Sequence, residues 1–228
     1  MLVYGKNVLE EVLKRNIKIN KVYMQDSFDN DYKNKLIKYN PVIMKKKDMD
    51  RKFSFAHQGI VLDIEDYKYV NINNFKFDNS LVVMLDHIED PHNFGAIIRT
   101  CEAAGVDLII IPENRSVEVN STVIKTSVGT VFNMKIAKVK NLVNTINHLK
   151  KNGFWIVGTD MEGIDYDKID YKGNTCIICG NEGNGMSRLV TDNCDFIATI
   201  KMLGEVNSLN ASVATGIVLF EAVKNRRN

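Results

Sequence analysis

The first 65 residues alternate short apolar runs with segments in which apolar residues recur at helical spacing. Val8, Leu9, Val12 and Leu13 would share one face of a helix, whereas the largely apolar run at residues 60–64 is typical of a strand. The expected elements are helices over residues 5–15 and 30–39 and strands over residues 21–24, 41–44 and 58–64. Their alternation predicts a small α/β unit.

From residue 81 the apolar runs become continuous, which is typical of strands covered on both faces. Pro91 should stop any earlier helix, Asn93 should cap the next one, and Gly105 should end it. The further expected elements are strands over residues 107–111, 134–139, 153–160, 175–179 and 195–200, helices over residues 141–151 and 207–225, and a polar loop over residues 160–174. This alternation predicts an α/β fold with a parallel sheet and helices on both faces.

Between these two parts, residues 66–79 lose their periodicity and are rich in Asn. Such a stretch is typical of a linker. We therefore expect a domain over residues 1–66, a linker over residues 67–79 and a second domain over residues 80–228.

The overall composition is that of a globular protein, with 45% hydrophobic and 25% charged residues. No run reaches the roughly 18 apolar residues that span a bilayer, so no membrane association is expected. The four cysteines are most simply explained as reduced thiols in the cytoplasm.

The net charge of +2 is unevenly distributed along the chain. Residues 1–77 carry 15 basic and 10 acidic residues, while residues 78–228 carry 15 basic and 18 acidic residues. A basic N-terminal part indicates an arm that binds nucleic acid. Charge alone leaves open the alternative that the sequence is merely rich in lysine.

Two clusters could suggest a metal ion, but their spacing argues against one. Cys176 and Cys179 have C-x-x-C spacing, yet they lie in a predicted strand, where residues three apart face opposite sides. The His and carboxylate residues at 86–92 contain no helical H-x-x-x-H pair. We expect no metal site.

Two loops rich in Gly and Asn, at residues 180–186 and 200–212, each follow a predicted strand. Loops at the carboxyl ends of strands form the ligand crevice of an α/β domain. The glycine spacing fits neither a dinucleotide nor a nucleoside triphosphate motif. His57-Gln58-Gly59 either contacts a ligand or only shapes a turn. The polar candidates for the crevice are Asn93, Arg99, Glu182, Ser208 and Asn210.

Three segments in order resemble the motifs of one family. They are Asn93-Phe94-Gly95 followed by Arg99, residues 180–186, and residues 208–214. In these segments the chain resembles the SpoU/TrmH class of RNA ribose 2′-O-methyltransferases. Tyr4-Gly5 and His57-Gln58-Gly59 resemble the small RNA-binding domain of its two-domain members, so the likeness covers nearly the whole chain.

The resemblance implies a C-terminal domain of the SPOUT type, threaded as a deep trefoil knot, and an N-terminal domain with the fold of ribosomal protein L30e. It also implies a homodimer, S-adenosylmethionine as the cofactor, and RNA as the partner. The matched positions are Asn93, Arg99, Glu182, Ser208 and Asn210 for catalysis, Thr159, Gly180, Ile200, Met202, Leu209 and Asn210 for the cofactor, and Tyr4, Lys6, His57, Gln58 and Arg99 for RNA.

The implied reaction moves a methyl group to a ribose 2′-hydroxyl, and a guanosine of large-subunit ribosomal RNA is the expected substrate. Arg99 is expected to anchor the neighbouring phosphate and orient the hydroxyl, because a guanidinium is a poor base. The alternatives are a tRNA ribose methyltransferase and a non-catalytic RNA-binding factor for ribosome assembly. Lys201 stands where family members often have Pro, so a looser cofactor loop is expected.

Overall fold

The packing of residues 1–227, which the computed structural model describes, separates the chain into two units. The N-terminal unit consists of Met1–Lys68 together with Val119–Phe132. The C-terminal unit consists of Tyr69–Glu118 and the chain from Asn133 onwards. The segment Val119–Phe132 therefore belongs with the N-terminal unit although it lies far along the sequence.

A four-stranded mixed sheet with the order β1-β4-β2-β3 forms the centre of the N-terminal unit. The helices and strands of this unit are β1 (Leu2–Tyr4), α1 (Lys6–Lys14), β2 (Ile19–Gln25), α2 (Asn30–Leu36), β3 (Val42–Met44), α3 (Lys46–Lys52), β4 (Ile60–Ile64) and α5 (Ser121–Thr126). β4 pairs antiparallel with β1 and β2, while β2 and β3 are parallel. The predicted elements are confirmed, but β1 and α3 were not expected. β1 has only three residues, and α3 buries only Met49, so neither has a periodic pattern.

A six-stranded sheet with the order β10-β8-β9-β5-β6-β7 forms the C-terminal unit, and every neighbouring pair is parallel. Its elements are β5 (Leu81–Asp86), α4 (Pro91–Ala104), β6 (Leu108–Pro112), β7 (Ile136–Val139), α6 (Leu142–Lys151), β8 (Trp155–Asp165), β9 (Thr175–Gly180), α7 (Arg188–Thr191), β10 (Phe196–Thr199) and α8 (Ala211–Arg227). α4 and α8 pack against each other. The predicted α/β class with a parallel sheet is confirmed, and the trefoil knot stays a prediction.

The start of α4 differs from the prediction. Asp90, not Asn93, is the N-cap, and it accepts hydrogen bonds from the N–H groups of His92 and Asn93. Pro91 occupies the first helical position, where its missing N–H does not matter. Asn93 therefore lies inside the first turn, and its side chain is available for other contacts. The predicted end is confirmed, since Gly105 caps the helix with φ +74°.

Two other boundaries also differ from the prediction. β8 continues to Asp165, where a polar loop was expected to begin at residue 160. A Cβ at Gly163 would lie 2.3 Å from the carbonyl oxygen of Ile197, so the close approach of β10 requires glycine there. α8 begins at Ala211 instead of residue 207, which leaves a longer loop before it.

The predicted linker contains ordered contacts. Val70 forms a parallel bridge with Ala137 of β7, and Ile72–Asn74 is a 3-10 helix. The Phe77 ring packs edge-on against Phe154, with centroids 4.8 Å apart. No helix in residues 1–227 has both the length and the apolar character needed to cross a membrane.

Candidate functional site

The loops that carry the sequence motifs leave neighbouring strands at one edge of the C-terminal sheet. β5 pairs with β9, β9 pairs with β8, and β8 pairs with β10. Because these strands are parallel, the loops at residues 87–90, 181–187 and 200–210 all emerge at their carboxyl ends. Residues distant in sequence are thereby brought to one place.

The side chain of Asn93 connects the three motifs. Its Nδ2 donates a hydrogen bond to the carboxylate of Glu182. Its Oδ1 accepts a hydrogen bond of 2.9 Å from Nδ2 of Asn210. The Oδ1 of Asn210 in turn accepts from the N–H and the hydroxyl of Ser212 at the start of α8. Three of the five predicted catalytic residues therefore form one hydrogen-bonded network.

The N-cap of α4 stabilises the helix turn that carries Asn93. Burial opposes ionisation of the Asp90 carboxyl, but hydrogen bonds from the N–H groups of Asn93 and His92 outweigh it and lower the pKa of Asp90. The charged cap fixes the first helical turn. Asn93 consequently presents its amide from a rigid helix end.

The loop after β9 is held by residues that the sequence analysis did not single out. Asp86 is buried, accepts a 2.7 Å hydrogen bond from the N–H of Ser187 and contacts Nδ1 of His87. Asn181 donates to the carbonyl of His87 at 2.9 Å and accepts from the N–H of Gly183 at 2.8 Å. The only sequence signal was a carboxylate at the end of an apolar strand, which is too weak to distinguish a loop anchor.

Gly180 shows why this loop requires glycine. A Cβ at Gly180 would lie 2.2 Å from both the carbonyl carbon of Gly185 and the nitrogen of Met186. Asn181 and Gly185 also exchange two backbone hydrogen bonds of 3.0 and 2.8 Å. The loop is therefore a tight turn folded onto the end of β9.

Arg99 and Ser208 stand apart from the network. Both are exposed, and neither makes a hydrogen bond or salt bridge to another side chain within the described part of the chain. Arg99 lies on α4, less than two turns after Asn93. Its guanidinium is therefore available to an external anion.

The segment before α8 has the character of a ligand-binding loop. Within residues 1–227, no backbone N–H of residues 201–209 donates to a main-chain carbonyl. Ile200, Met202 and Leu209 are partly buried, whereas the residues between them are exposed. Such a mixture of apolar side chains and free N–H groups suits a ligand with an apolar ring and polar ends.

Thr159 and Gly180 complete the predicted cofactor set. Gly180 ends β9, and Thr159 lies in the neighbouring strand β8 directly after Gly158, which pairs with Ile178 of β9. The hydroxyl of Thr159 donates to the carbonyl of Ile178 at 3.1 Å. The residues predicted to bind S-adenosylmethionine therefore occupy one edge of the sheet. Their chemistry fits this ligand.

The predicted RNA residues of the N-terminal unit also cluster. His57 is buried, its Nδ1 accepts from the N–H of Gly59, and its Nε2 lies 2.9 Å from Asp50. Gln58 is exposed with φ +54°, and its side-chain oxygen accepts from the N–H of Lys6 at 3.3 Å. His57 thus shapes the turn, and Gln58 faces outward. Tyr4 lies on the adjacent strand β1.

Two further residues of this cluster, Phe55 and Lys125, were not predicted from the sequence. The Tyr4 ring stacks on Phe55, with centroids 4.2 Å apart. Lys125 of α5 lies 3.2 Å from the side-chain oxygen of Gln58. Lys125 is 67 residues away from Gln58 in the chain, so no local pattern could have indicated the contact.

Thiol and metal chemistry find no support in the described residues. No group of three or more His, Cys, Asp or Glu side chains in residues 1–227 is placed to hold a metal ion. Burial raises the pKa of the Cys101, Cys176 and Cys179 thiols, and it raises that of Cys194 to about 11. These thiols are therefore protonated near neutral pH and are poor nucleophiles.

Comparison with known proteins agrees with this geometry. Residues 80–220 match the SpoU rRNA Methylase family, and residues 2–70 match the family described as RNA 2′-O ribose methyltransferase substrate binding. A protein of Staphylococcus saprophyticus assigned to the TrmH family of tRNA/rRNA methyltransferases is 39% identical over 239 residues. The match covers 99% of this chain and 96% of the staphylococcal protein.

Two solved structures share the fold along nearly the whole chain. The AdoMet-bound rRNA methyltransferase from Sinorhizobium meliloti has a TM-score of 0.83 and 27% identity, covering 98% of this chain and 86% of its own. The SpoU methyltransferase AviRb from Streptomyces viridochromogenes, also in complex with AdoMet, has a TM-score of 0.84 and 22% identity, covering 98% and 89%. Since the first family model spans more than half of the chain and the staphylococcal relative matches it from end to end, the chain belongs to the SpoU rRNA Methylase family.

Proposed function

We propose that this chain transfers a methyl group from S-adenosylmethionine to a ribose 2′-hydroxyl in RNA, with a guanosine of large-subunit ribosomal RNA as the substrate. Family membership supports the methyltransferase activity. The match of residues 2–70 to a 2′-O ribose methyltransferase domain supports the position of the methyl group.

The observation that carries the proposal is the bridge made by Asn93. This residue joins Glu182 and Asn210, which belong to loops after two other strands. An interaction of this kind organises three loops around one point. The bridge lies at the carboxyl ends of the strands, where parallel α/β sheets carry their ligand sites, and this favours an enzyme over the non-catalytic alternative.

S-adenosylmethionine, when bound, supplies a methyl group on a positively charged sulfur. Two relatives of this fold contain it, which supports its assignment as the cofactor. Thr159, Gly180, Ile200, Met202, Leu209 and Asn210 would hold it. The contribution of these residues is positioning, because a reaction between two held groups avoids the entropic cost of a bimolecular encounter.

Arg99 is assigned to the RNA side of the reaction. Its exposed guanidinium can donate two parallel hydrogen bonds to a phosphate next to the target ribose. In this role it keeps its proton and orients the 2′-hydroxyl. Ser208, exposed in the loop before α8, would contact the ribose or the cofactor.

The N-terminal unit is assigned to RNA recognition. Tyr4, Lys6, His57 and Gln58 cluster there, and the relatives named above include proteins described as acting on rRNA or on tRNA/rRNA. We choose ribosomal RNA because the family that matches the C-terminal part is described by it.

We also propose that two copies of the chain associate through α8. Val213 and Phe220 are about half exposed, while Val218 and Leu219 on the same helix are buried. A helix that is apolar on its outer face as well indicates a protein partner. Sedimentation of the wild-type protein and of Phe220→Glu tests this, and a wild-type monomer would contradict it.

A cytoplasmic location accompanies this proposal. All four cysteines are free, and three of them are buried. Free thiols are typical of proteins in a reducing compartment, which supports this location.

The test is transfer of tritium from labelled S-adenosylmethionine into protein-free ribosomal RNA and bulk tRNA, followed by nucleoside analysis. We expect 2′-O-methylguanosine in the large ribosomal RNA. Label only in tRNA would overturn the substrate but retain the chemistry. If neither RNA is labelled and ribosomal precursor particles are not labelled either, the methyltransferase proposal is wrong. The non-catalytic RNA-binding alternative would then be favoured.

A further inference from the structure

We infer that Lys125 is a phosphate anchor of the N-terminal unit, and that Tyr4 and Gln58 hold its ammonium group in place for RNA. Lys125 belongs to none of the three motif segments, and it lies outside residues 2–70, which match the substrate-binding family. The inference rests on the proposed function, because it takes RNA as the ligand.

The fold brings Lys125 to the predicted RNA residues. Lys125 lies on α5, within Val119–Phe132, and α5 packs beside β1, which ends at Tyr4. Its Nζ donates a 3.2 Å hydrogen bond to the side-chain oxygen of Gln58. The same Nζ lies 5.5 Å from the centroid of the Tyr4 ring, within the range of a cation–π interaction.

The surroundings of Tyr4 favour a holding role over direct base stacking. Phe55 covers the Tyr4 ring at an interplanar angle of 19°, and Lys125 lies over the same ring. Phe55 in turn contacts Phe53, which is buried in the core of the unit. The ring face against Phe55 is closed to a nucleobase, and a ring fixed in this way can restrict the lysine.

Gly5 provides the space that this arrangement needs. A Cβ at Gly5 would lie 2.4 Å from Nζ of Lys125 and 3.0 Å from the side-chain oxygen of Gln58. The backbone of Gly5 also has φ +98°, which favours glycine. The Tyr-Gly pair that the sequence analysis selected thus leaves room for an ammonium group contributed from elsewhere in the chain.

The charge of Lys125 is not balanced within the protein. In residues 1–227 no carboxylate forms a salt bridge with it, whereas Lys6 has Asp29 and Lys14 has Glu11. The side chain is partly buried, and this burial lowers the pKa of Lys125. A partly desolvated cation held by a neutral amide and an aromatic ring can accept an anion with little reorganisation. A backbone phosphate supplies that anion.

The experiment measures binding of end-labelled, deproteinised ribosomal RNA by fluorescence anisotropy at several salt concentrations. Lys125→Met removes the charge but keeps the length of the side chain. We expect affinity to fall on the order of tenfold. The plot of log K against log salt, which has a negative slope, should become shallower by about 0.7–0.9. Lys125→Arg should restore the slope, which separates loss of charge from loss of folding.

Lys14→Met is the matched control, because Lys14 lies in the same unit and is paired with Glu11. It should leave the slope unchanged. Equal slopes for wild type and Lys125→Met, or an equal decrease for Lys14→Met, would overturn the inference. Tritium transfer by the wild-type protein, measured in parallel, reports on the proposed function separately. If the wild type is active but the salt dependence of RNA binding is the same with and without Lys125, the phosphate anchor is refuted. The proposed function would still stand.

Discussion

Two cations of this protein, Arg99 and Lys125, are assigned to RNA, but their environments are opposite. Lys125 is partly buried, contacts an amide oxygen and an aromatic ring, and lies beside a glycine that leaves it room. Arg99 is exposed and has no polar partner within the described chain. One group is positioned before RNA arrives, and the other must be oriented by RNA, by the cofactor or by a second copy of the chain.

This difference suggests a division of labour. A pre-positioned cation loses little entropy when it binds a phosphate, so it contributes to affinity. A free guanidinium that becomes ordered only in the reactive complex contributes to the rate instead. We therefore expect changes at Arg99 to affect turnover and changes around Lys125 to affect RNA binding.

The largest effect should come from Arg99→Ala. We expect turnover to fall about a hundredfold or more, because the target ribose is no longer oriented. The melting temperature should not change, since Arg99 has no partner within the described residues. Single-turnover methylation measures the rate, and thermal unfolding measures the melting temperature. Full activity in Arg99→Ala would remove Arg99 from the site.

Asn93→Ala should have the next largest effect. It leaves Glu182 and Asn210 without the amide that joins them, so turnover should fall on the order of tenfold, and the affinity for S-adenosylmethionine should fall with it. Asn147→Ala is the control, because Asn147 is exposed on α6 and lies outside the three motif segments. Calorimetry with S-adenosylmethionine would distinguish the two variants. Equal losses in both would mean that the bridge is not important.

Gln58→Glu should have a smaller effect, confined to RNA. The new carboxylate would pair with Lys125 and repel phosphate, so RNA affinity should fall several-fold. Gln25→Glu makes the same change of charge in the same unit, but the Gln25 amide bonds Ser27. The RNA affinities of the two variants should be measured at the same salt concentration and compared. A similar loss in both would show that only net charge matters.

The smallest effect should be a dependence of RNA affinity on pH. Burial lowers the pKa of Lys125 from the ordinary lysine value, so its charge is lost earlier than that of exposed lysines as the pH rises. Wild type should therefore lose more affinity than Lys125→Arg as the pH is raised from neutral towards the ordinary lysine value, since arginine stays charged there. Parallel pH profiles for both proteins would contradict this.

The sequence predicted the features that depend on local chemistry. Gly105 ended α4 as expected, because glycine readily adopts a left-handed helix end. The central strand β5 was recognised from its continuous apolar run, as a buried parallel strand requires. The cap of α4 was misplaced because Asp90 and Asn93 are both good caps, and only Asp90 lies directly before Pro91.

The features that depend on distant contacts could not be predicted from residue patterns. Asn93 and Asn210 are 117 residues apart, and nothing in either segment indicates that one amide bonds the other. The resemblance to a family grouped them as site residues but gave no bonds. Lys125 escaped entirely, since it lies in a short helix whose sequence carries no charge pattern and no motif.

The discontinuous N-terminal unit has a consequence for how such proteins can be rearranged. Residues 119–132 belong to this unit, although they lie inside the range that matches the methylase family. A fragment that stops at residue 70 would lack α5 and with it Lys125. The two parts are therefore not interchangeable modules joined at a single seam. Transferring the RNA-binding unit to another catalytic domain would require moving both segments of the chain. A recombination event that moved only residues 1–68 would transfer an incomplete RNA-binding unit.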